Sequence, residues 1–186
     1  MVGMGPWSGG RGRMDSQIAR TAGLVGLALL ALWLFRSKRP STHFSLEELT
    51  TTNTGLSNVP GATARANLER LANEVLEPLR ERVGPIIISS GFRNAATNAA
   101  VGGVSDSAHL SGSAVDAFAQ DGASAATMAA WLYDSELPLN QVLIYWGKGH
   151  LHIARDTGGK PYRRDFKQTF DGGKTWEAWA PGGRNT

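Results

Sequence analysis

The chain of 186 residues contains no cysteine and only four histidines, and charged residues make up 19% of it. Without cysteine it cannot form a disulfide scaffold, use a thiol nucleophile, bind zinc through sulfur or hold an iron–sulfur cluster. The phosphate-binding patterns G-x-x-x-x-G-K-[ST] and G-x-G-x-x-G are also missing. Apolar residues nevertheless account for 41% of the chain. That is enough for one folded domain of this length to bury a core.

Positive charge is concentrated at the N-terminus. Residues 1–40 contain six basic residues and one acidic residue, a local charge of about +5 within a net charge of +3. Residues 41–186 contain the other 13 basic and 15 acidic residues, a local charge of about −2. Composition therefore gives little support for a nucleic-acid-binding face on the folded part, and we expect no nucleic-acid partner.

The N-terminal segment is predicted to lie outside the folded domain. Residues 1–17 are Gly-rich and basic and are predicted to be disordered, residues 18–36 contain the uncharged run TAGLVGLALLALWLF, and residues 37–42 form a polar linker. The run is shorter than the roughly 20 residues that span a bilayer, but its flanking arginines can reach the headgroups. No small-residue cleavage site follows it. We therefore expect a retained signal anchor, a transmembrane helix, rather than a cleaved signal peptide or a core helix.

Hydrophobic periodicity predicts an α+β domain over residues 43–156, because strands and helices do not alternate regularly. One long apolar stripe indicates a helix over residues 62–83, which Pro78 should kink or end. A short β-branched run over residues 85–90 indicates a buried strand. The remaining predicted strands are 114–118, 141–146 and 150–155, and the remaining predicted helices begin near Ser45 and cover 94–101 and 123–132.

Residues 157–186 are predicted to form a C-terminal extension with a β-hairpin. The segment TFDGGKTW at residues 169–176 matches the Asp-box pattern S/T-x-D-x-G-x-T-W. Asp171 is expected to accept hydrogen bonds from backbone amides of the turn, and Trp176 is expected to pack beside it. A single copy of this turn carries no information about function.

Three of the four histidines lie in two short motifs. His150 and His152 are two residues apart in a predicted strand and project from the same face; alone, the pair would also fit two solvated side chains. Gly112 allows the chain to bend between His109 and Asp116, so these side chains can converge. Two imidazoles and a carboxylate form a common catalytic zinc site that leaves a fourth position for water. A metal would also supply the partner that a carboxylate in an apolar strand needs.

Four motifs resemble those of the zinc D-Ala-D-Ala carboxypeptidase / L-alanyl-D-glutamate endopeptidase family. They are S-G-F-R at residues 90–93, S-x-H-x-x-G-x-A-x-D at 107–116, H-x-H at 150–152, and an opening HFSLEEL at 43–49 that is similar to the phage-type branch. The motifs occur in the family's order and span residues 43–155, some 60% of the chain.

The resemblance implies the hedgehog/DD-peptidase fold, an antiparallel sheet with packed helices. It also implies a Zn2+ ion held by His109, Asp116 and His152. Arg93 would hold the substrate's carboxylate or polarise its carbonyl, a task that suits a planar bidentate donor. Ser107, the first residue of the second motif, is assigned to substrate binding with Arg93. The alternative interpretation of Arg93 is a surface arginine at the end of a strand.

One position departs from the family pattern. Many relatives carry Glu or Asp three residues before the last zinc histidine as the general base, and this position is Gly149 here. Some relatives instead place a histidine two residues before that ligand, and His150 fits this arrangement. His150 is therefore predicted to transfer protons in catalysis. The alternatives are a carboxylate from elsewhere, with Asp106 the nearest, or a weakly active site.

These features predict a zinc-dependent peptidase that cleaves peptidoglycan stem peptides, either as a D,D-carboxypeptidase or as an endopeptidase for L-Ala–D-Glu or cross-bridge bonds. An anchored domain facing the periplasm or cell wall, or one in a virion membrane, would be on the same side as this substrate. The phage-type opening favours a viral protein for lysis or infection. The alternative is a non-catalytic murein-binding or structural module on the same fold, which Gly149 supports.

Overall fold

The structure is a computed structural model that describes residues 41–120 and 124–182. The predicted disordered segment 1–17, the predicted signal anchor 18–36 and all but the end of the predicted linker lie outside these residues. Across the part of the chain that is described, no helix has both the length and the apolar character needed to cross a bilayer.

The described residues form helices and one six-stranded sheet, which confirms the α+β class. The sheet has the strand order β1-β2-β4-β3-β5-β6. The strands are β1 Ile86–Ser90, β2 Ala114–Ala119, β3 Leu139–Tyr145, β4 His150–Arg155, β5 Asp165–Thr169 and β6 Glu177–Ala178. The helices are α1 Ala62–Leu71, α2 Glu77–Val83, α3 Ala95–Ala100 and α4 Ala125–Asp134, with a π turn at Ala72–Leu76 and 3-10 turns at Glu48–Thr50 and Ala108–Ser111.

The sheet is mixed, whereas a fully antiparallel sheet was expected. Four of the five strand pairs are antiparallel, and β3 and β5 are parallel. The connection between β4 and β5 explains the parallel pair. β4 ends beside the start of β3, and residues 156–164 cross that same end of β3. β5 therefore begins where β3 begins and runs in the same direction. The C-terminal hairpin of β5 and β6 therefore continues the same sheet.

The long apolar stripe forms one continuous helical segment from α1 through the π turn to α2. Its core residues are each at most 1% exposed: Leu68, Leu71, Ala72, Val75, Leu76 and Leu79. In the π turn the backbone N–H of Glu77 bonds to the carbonyl of Ala72, five residues back. This wide turn directly precedes Pro78, which has no N–H and crowds the preceding turn of a regular helix. The helix therefore continues past the proline.

Strand β1 is at the edge of the sheet. Ile86 is buried, but Ile87 is 48% exposed, so the strand predicted over residues 85–90 is present and its predicted burial holds only in part. A short β-branched run cannot show by itself whether one or both faces are covered.

The central strands have one apolar face and one polar face. Val115, Leu151 and Ile153 are fully buried in the same core as the helical stripe. Because successive side chains of a strand point to opposite faces, Asp116 and His152 project from the other face. That face carries the candidate site.

Glu77, the first residue of α2, forms hydrogen bonds with the first described residues of the chain. Its Oε1 atom accepts hydrogen bonds from the Ser41 hydroxyl at 2.6 Å and from the backbone N–H groups of Thr42 at 2.8 Å and His43 at 2.9 Å. Its Oε2 atom lies 2.7 Å from His43 Nδ1. Burial alone would raise the pKa of Glu77, but the hydrogen bonds outweigh it and lower the pKa from 4.5 to about 2.

We expect this contact to stabilise the fold fully above about pH 4.5 and to contribute less as the pH falls toward 2. The unfolded carboxyl group takes up a proton more readily than the folded one, so acid favours unfolding. Urea unfolding between about pH 6 and about pH 3 should show a larger loss of stability for the wild type than for Glu77→Gln. Glu47→Gln, at an exposed position, is the control, and equal losses in all three proteins would contradict the assignment.

Candidate metal centre

Strands β2 and β4 and the 3-10 turn Ala108–Ser111 bring three potential ligands together. Asp116 and His152 are direct register partners of the antiparallel β2–β4 pair. His109 lies in the turn that leads into β2, where it is almost completely buried. The structure thus brings together the three residues that the motifs indicate as metal ligands.

Gly112 ends the turn that carries His109 and has φ of +69°, in the left-handed region. A Cβ atom at this position would collide with the backbone carbonyl oxygen of Ala64. Glycine is therefore needed both for the backbone conformation and for the close approach of α1.

We expect Gly112→Ala to destabilise the fold by about 1–3 kcal/mol or more, because it combines backbone strain with a steric clash. The substitution should also displace His109 and weaken metal binding. Urea unfolding and zinc titration measure the two effects. Gly102→Ala is a matched control, because Gly102 also has a positive φ but a Cβ there would meet no atom within 4 Å. An equal loss in both variants would attribute the effect to φ alone.

The donor atoms of the three residues converge on one point. His152 Nδ1 lies 3.1 Å from both His109 Nε2 and Asp116 Oδ1, and His109 Nε2 lies 3.4 Å from Asp116 Oδ1. Ligands of a tetrahedral zinc ion with bonds of about 2.0–2.1 Å are separated by about 3.3–3.4 Å. The spacing of these atoms therefore fits one face of a zinc tetrahedron.

The protonation of the cluster also fits a cation. His109 Nδ1 lies 2.6 Å from the carbonyl oxygen of Gly91, which can only accept, so Nδ1 carries a proton, and in the neutral ring Nε2 presents a lone pair. Asp116 presents a carboxylate oxygen beside it. With both rings neutral, at most one proton, on His152 Nδ1, is shared among the three mutually close atoms His109 Nε2, His152 Nδ1 and Asp116 Oδ1. A metal ion would satisfy all three, with Gly91 holding the His109 ring in the outer shell.

Arg93 lies directly behind Asp116. One terminal nitrogen of its guanidinium donates to Asp116 Oδ2 at 2.6 Å, and its Nε donates to the Ser90 hydroxyl at 2.8 Å. The side chains of Arg93 and Asp116 are each only 16% exposed. The contact with Arg93 directs Oδ1 of Asp116 toward the two histidines. The hydrogen bonds to Asp116 and Ser90 together use two of the five donors that a guanidinium offers.

The electrostatics of the cluster favour a charged aspartate and neutral histidine. Burial would raise the pKa of Asp116, but hydrogen bonds to His109 and His152, and the charge of those rings when protonated, hold that pKa well below its usual range. Burial lowers the pKa of His152, because it disfavours the imidazolium. A carboxylate with neutral imidazoles is the state that binds a metal.

His150 lies next to the cluster at the start of β4, on the face of His152. Its ring stacks on Tyr145 with centroids 4.5 Å apart, and burial lowers its pKa. Tyr145 is the register partner of His150 and therefore lies on the same face, where burial and the charge of Asp116 raise the pKa of its hydroxyl. Tyr145 was not among the site residues predicted from the sequence. The predicted strand 141–146 would instead place Trp146 opposite His150, so the hairpin pattern alone did not indicate Tyr145.

The other residues considered for the site in the sequence lie outside the three-residue cluster. Ser107 precedes the 3-10 turn of His109, and its substrate-binding role stays a prediction. Asp106 is exposed and is not part of the cluster. Gly149 has φ of +68° in the β3–β4 turn, where its N–H bonds to the carbonyl of Tyr145 at 2.8 Å. The turn therefore favours glycine at the position where relatives carry an acid.

A cleft of about 240 Å³ opens beside Arg93, between the loop after the first 3-10 turn, the end of β1 and α3. Hydroxyl groups are present on five of its nine lining residues. They belong to Thr51, Thr52, Ser89, Ser90 and Thr97.

A comparison with curated proteins finds no match to this chain. A family model described as Peptidase M15 matches residues 42–154, which cover the cluster, Arg93 and the opening motif. This confirms the family resemblance inferred from the motifs. Because the match extends over more than half of the chain, the protein belongs to the peptidase M15 family.

Proposed function

We propose that this protein is a zinc-dependent peptidase on the hedgehog/DD-peptidase fold that cleaves stem peptides of peptidoglycan. One observation carries the proposal: three ligand atoms converge with zinc-like spacing in a member of a peptidase family. His109, Asp116 and His152 would hold the ion. The bound zinc would supply Lewis acidity, which polarises a carbonyl group and lowers the pKa of water.

Arg93 has two parts in the proposal. It orients Asp116 through the 2.6 Å contact to Oδ2, as an outer-shell residue does for a metal ligand. Arg93 also lines the cleft, and its remaining donors are suited to a substrate carboxylate or carbonyl. Arg93→Ala should therefore raise KM and lower kcat together. If Arg93→Ala leaves both KM and kcat unchanged, both proposed roles of Arg93 are contradicted.

The cleft supports a peptide substrate. A peptide backbone offers carbonyl and N–H groups that the lining hydroxyls can pair with. Which stem-peptide bond is cut depends on how the peptide extends from Arg93 along this cleft.

The proposal is tested by digesting purified muropeptides with the zinc-loaded, full-length protein and analysing the products by mass spectrometry. Loss of terminal D-alanine would identify a carboxypeptidase, and shorter peptides or separated cross-links would identify an endopeptidase. The control is the same protein treated with a chelator. A wild type that binds zinc and murein but cleaves no bond would overturn the proposal in favour of a binding module, which Gly149 favours as the second candidate.

We further propose, from the sequence alone, that residues 18–36 anchor the protein with its catalytic domain facing the cell wall or in a virion membrane. The uncharged run and its flanking arginines support this location, and a phage protein for lysis or infection is consistent with it. Alkaline carbonate extraction should leave the full-length chain in the membrane fraction. Its release would contradict the anchor.

A further inference from the structure

Four aromatic rings form a row beside the metal-ligand cluster. His150 on β4 lies between Phe118 on β2 and Tyr145 on β3, and Trp176 follows beyond Tyr145. Phe118 and His150 are each two residues from a cluster member in the same strand, and therefore share its face of the sheet. We call Phe118, His150, Tyr145 and Trp176 the aromatic row.

The contacts within the row are close and specific in geometry. Tyr145 lies almost parallel to His150, with centroids 4.5 Å apart and an interplanar angle of 14°. Phe118 contacts the His150 ring with centroids 5.5 Å apart and an angle of 55°. Trp176 meets Tyr145 edge to face at 5.2 Å and 88°. Such pairs contribute attraction beyond area burial and favour particular ring orientations.

The far end of the row is held by the C-terminal turn between β5 and β6. Asp171 accepts hydrogen bonds from the backbone N–H groups of Lys174 at 2.9 Å and Thr175 at 3.0 Å. At Gly173, a Cβ atom would lie 3.4 Å from both Tyr145 Cε1 and Trp176 Cζ2. The turn is thus ordered internally and packs closely on Tyr145.

This turn lies outside the region that matches the family, which ends at residue 154. The chain nevertheless returns to the site, because β5 pairs with β3 and places Thr169 opposite Tyr145. A tail that served only to extend the sheet would not need aromatic contact with a residue beside the metal ligands.

We propose that the C-terminal turn, residues 169–176, is part of the active site, and that Tyr145 and Trp176 are positioning residues for His150. His150 is half-buried at the end of a strand next to a turn, where its ring would otherwise sample several orientations. The row restricts the ring to one orientation beside the cluster. The inference rests on the proposed function in that His150 acts on the substrate.

The test uses full-length protein with Tyr145→Ala, Trp176→Ala and the conservative Tyr145→Phe. The first readout needs no activity: the ring protons of His150, observed by NMR, should be shifted upfield by the stacked Tyr145 ring. We expect Tyr145→Ala to remove this shift, Trp176→Ala to reduce it and Tyr145→Phe to keep it. Trp179→Ala is the matched control, because Trp179 packs on Tyr133 and Phe166 instead.

The second readout is kcat and KM on muropeptides at equal zinc content. We expect Tyr145→Ala and Trp176→Ala to lower kcat by at least about 10-fold, within the roughly 10²–10⁴-fold that a positioned proton-transfer group contributes. KM should change little, and Tyr145→Phe should recover most of the loss. Trp176→Leu, which keeps the apolar volume, replaces Trp176→Ala if that variant does not fold.

Two results would overturn the inference. One is a His150 shift that is insensitive to both Tyr145→Ala and Trp176→Ala. The other is an altered shift with wild-type kcat. If the wild type cleaves no muropeptide, the proposed function fails, and the NMR readout still decides whether the turn orients His150.

Discussion

Replacing His109 by alanine is expected to remove most of the zinc from the protein and to abolish peptide cleavage. Within the described residues, His109 supplies one of the three converging donors, and its Nε2 atom lies within 3.4 Å of both partners. Loss of an outer-shell residue typically weakens metal binding by roughly 10–100-fold, and loss of a direct ligand should cost more. Metal analysis after dialysis, together with a zinc titration, measures the effect.

Two further variants make the result specific. His109→Ala also deprives the carbonyl of Gly91 of its hydrogen bond, which destabilises the fold by itself. Asp116→Asn keeps the shape of the ligand and removes its charge, so it should also lose zinc without leaving a cavity. His43→Ala removes the histidine that contacts Glu77 instead of the cluster, and it should keep zinc. Wild-type zinc content in both cluster variants would refute the ligand assignment.

Replacing His150 by alanine is expected to lower kcat on muropeptides by about 10²–10⁴-fold while zinc content and fold are retained. The reason is position: His150 lies on the face of His152, and Gly149 carries no side chain that could transfer a proton. Steady-state kinetics at matched zinc content measures the loss. Retention of zinc by His150→Ala would distinguish His150 from the metal ligands, because substitution of a ligand is expected to remove the zinc.

His150→Gln distinguishes proton transfer from simple hydrogen bonding. Glutamine keeps a polar side chain of similar reach but cannot exchange a proton near neutral pH, so its kcat should be as low as that of His150→Ala. A His150→Gln variant with wild-type kcat would reduce the role of His150 to hydrogen bonding. Wild-type turnover by both variants would move the search to another acid, and Asp106→Asn would then be examined in the same way.

Much of the local structure was predictable from the sequence. Leu68, Val75 and Leu79 occur at helical spacing, and their helix forms where that spacing indicates. The Ser124 and Asn94 side chains cap their helices by accepting from backbone N–H groups three residues later. These features depend on neighbours within one or two turns, so they can be read from short stretches of sequence.

The C-terminal region was predicted less completely. The turn chemistry of Asp171 was correctly inferred, because an Asp-box turn is stabilised by its own residues. The parallel pairing of β5 with β3 was not inferred. Strand pairing over this distance depends on which exposed strand edge remains when β4 ends, and no local pattern encodes that edge.

The sequence by itself determined the ligand types, their spacing in the motifs and the glycine that lets His109 turn toward Asp116. These are properties of short segments, where residue type and backbone preference suffice. Only the tertiary structure decided that Arg93 pairs with Asp116, that Phe118 lies against His150 and that Trp176 lies against Tyr145. Those contacts join segments far apart in the chain, and their geometry follows from strand order, register and packing of the whole sheet.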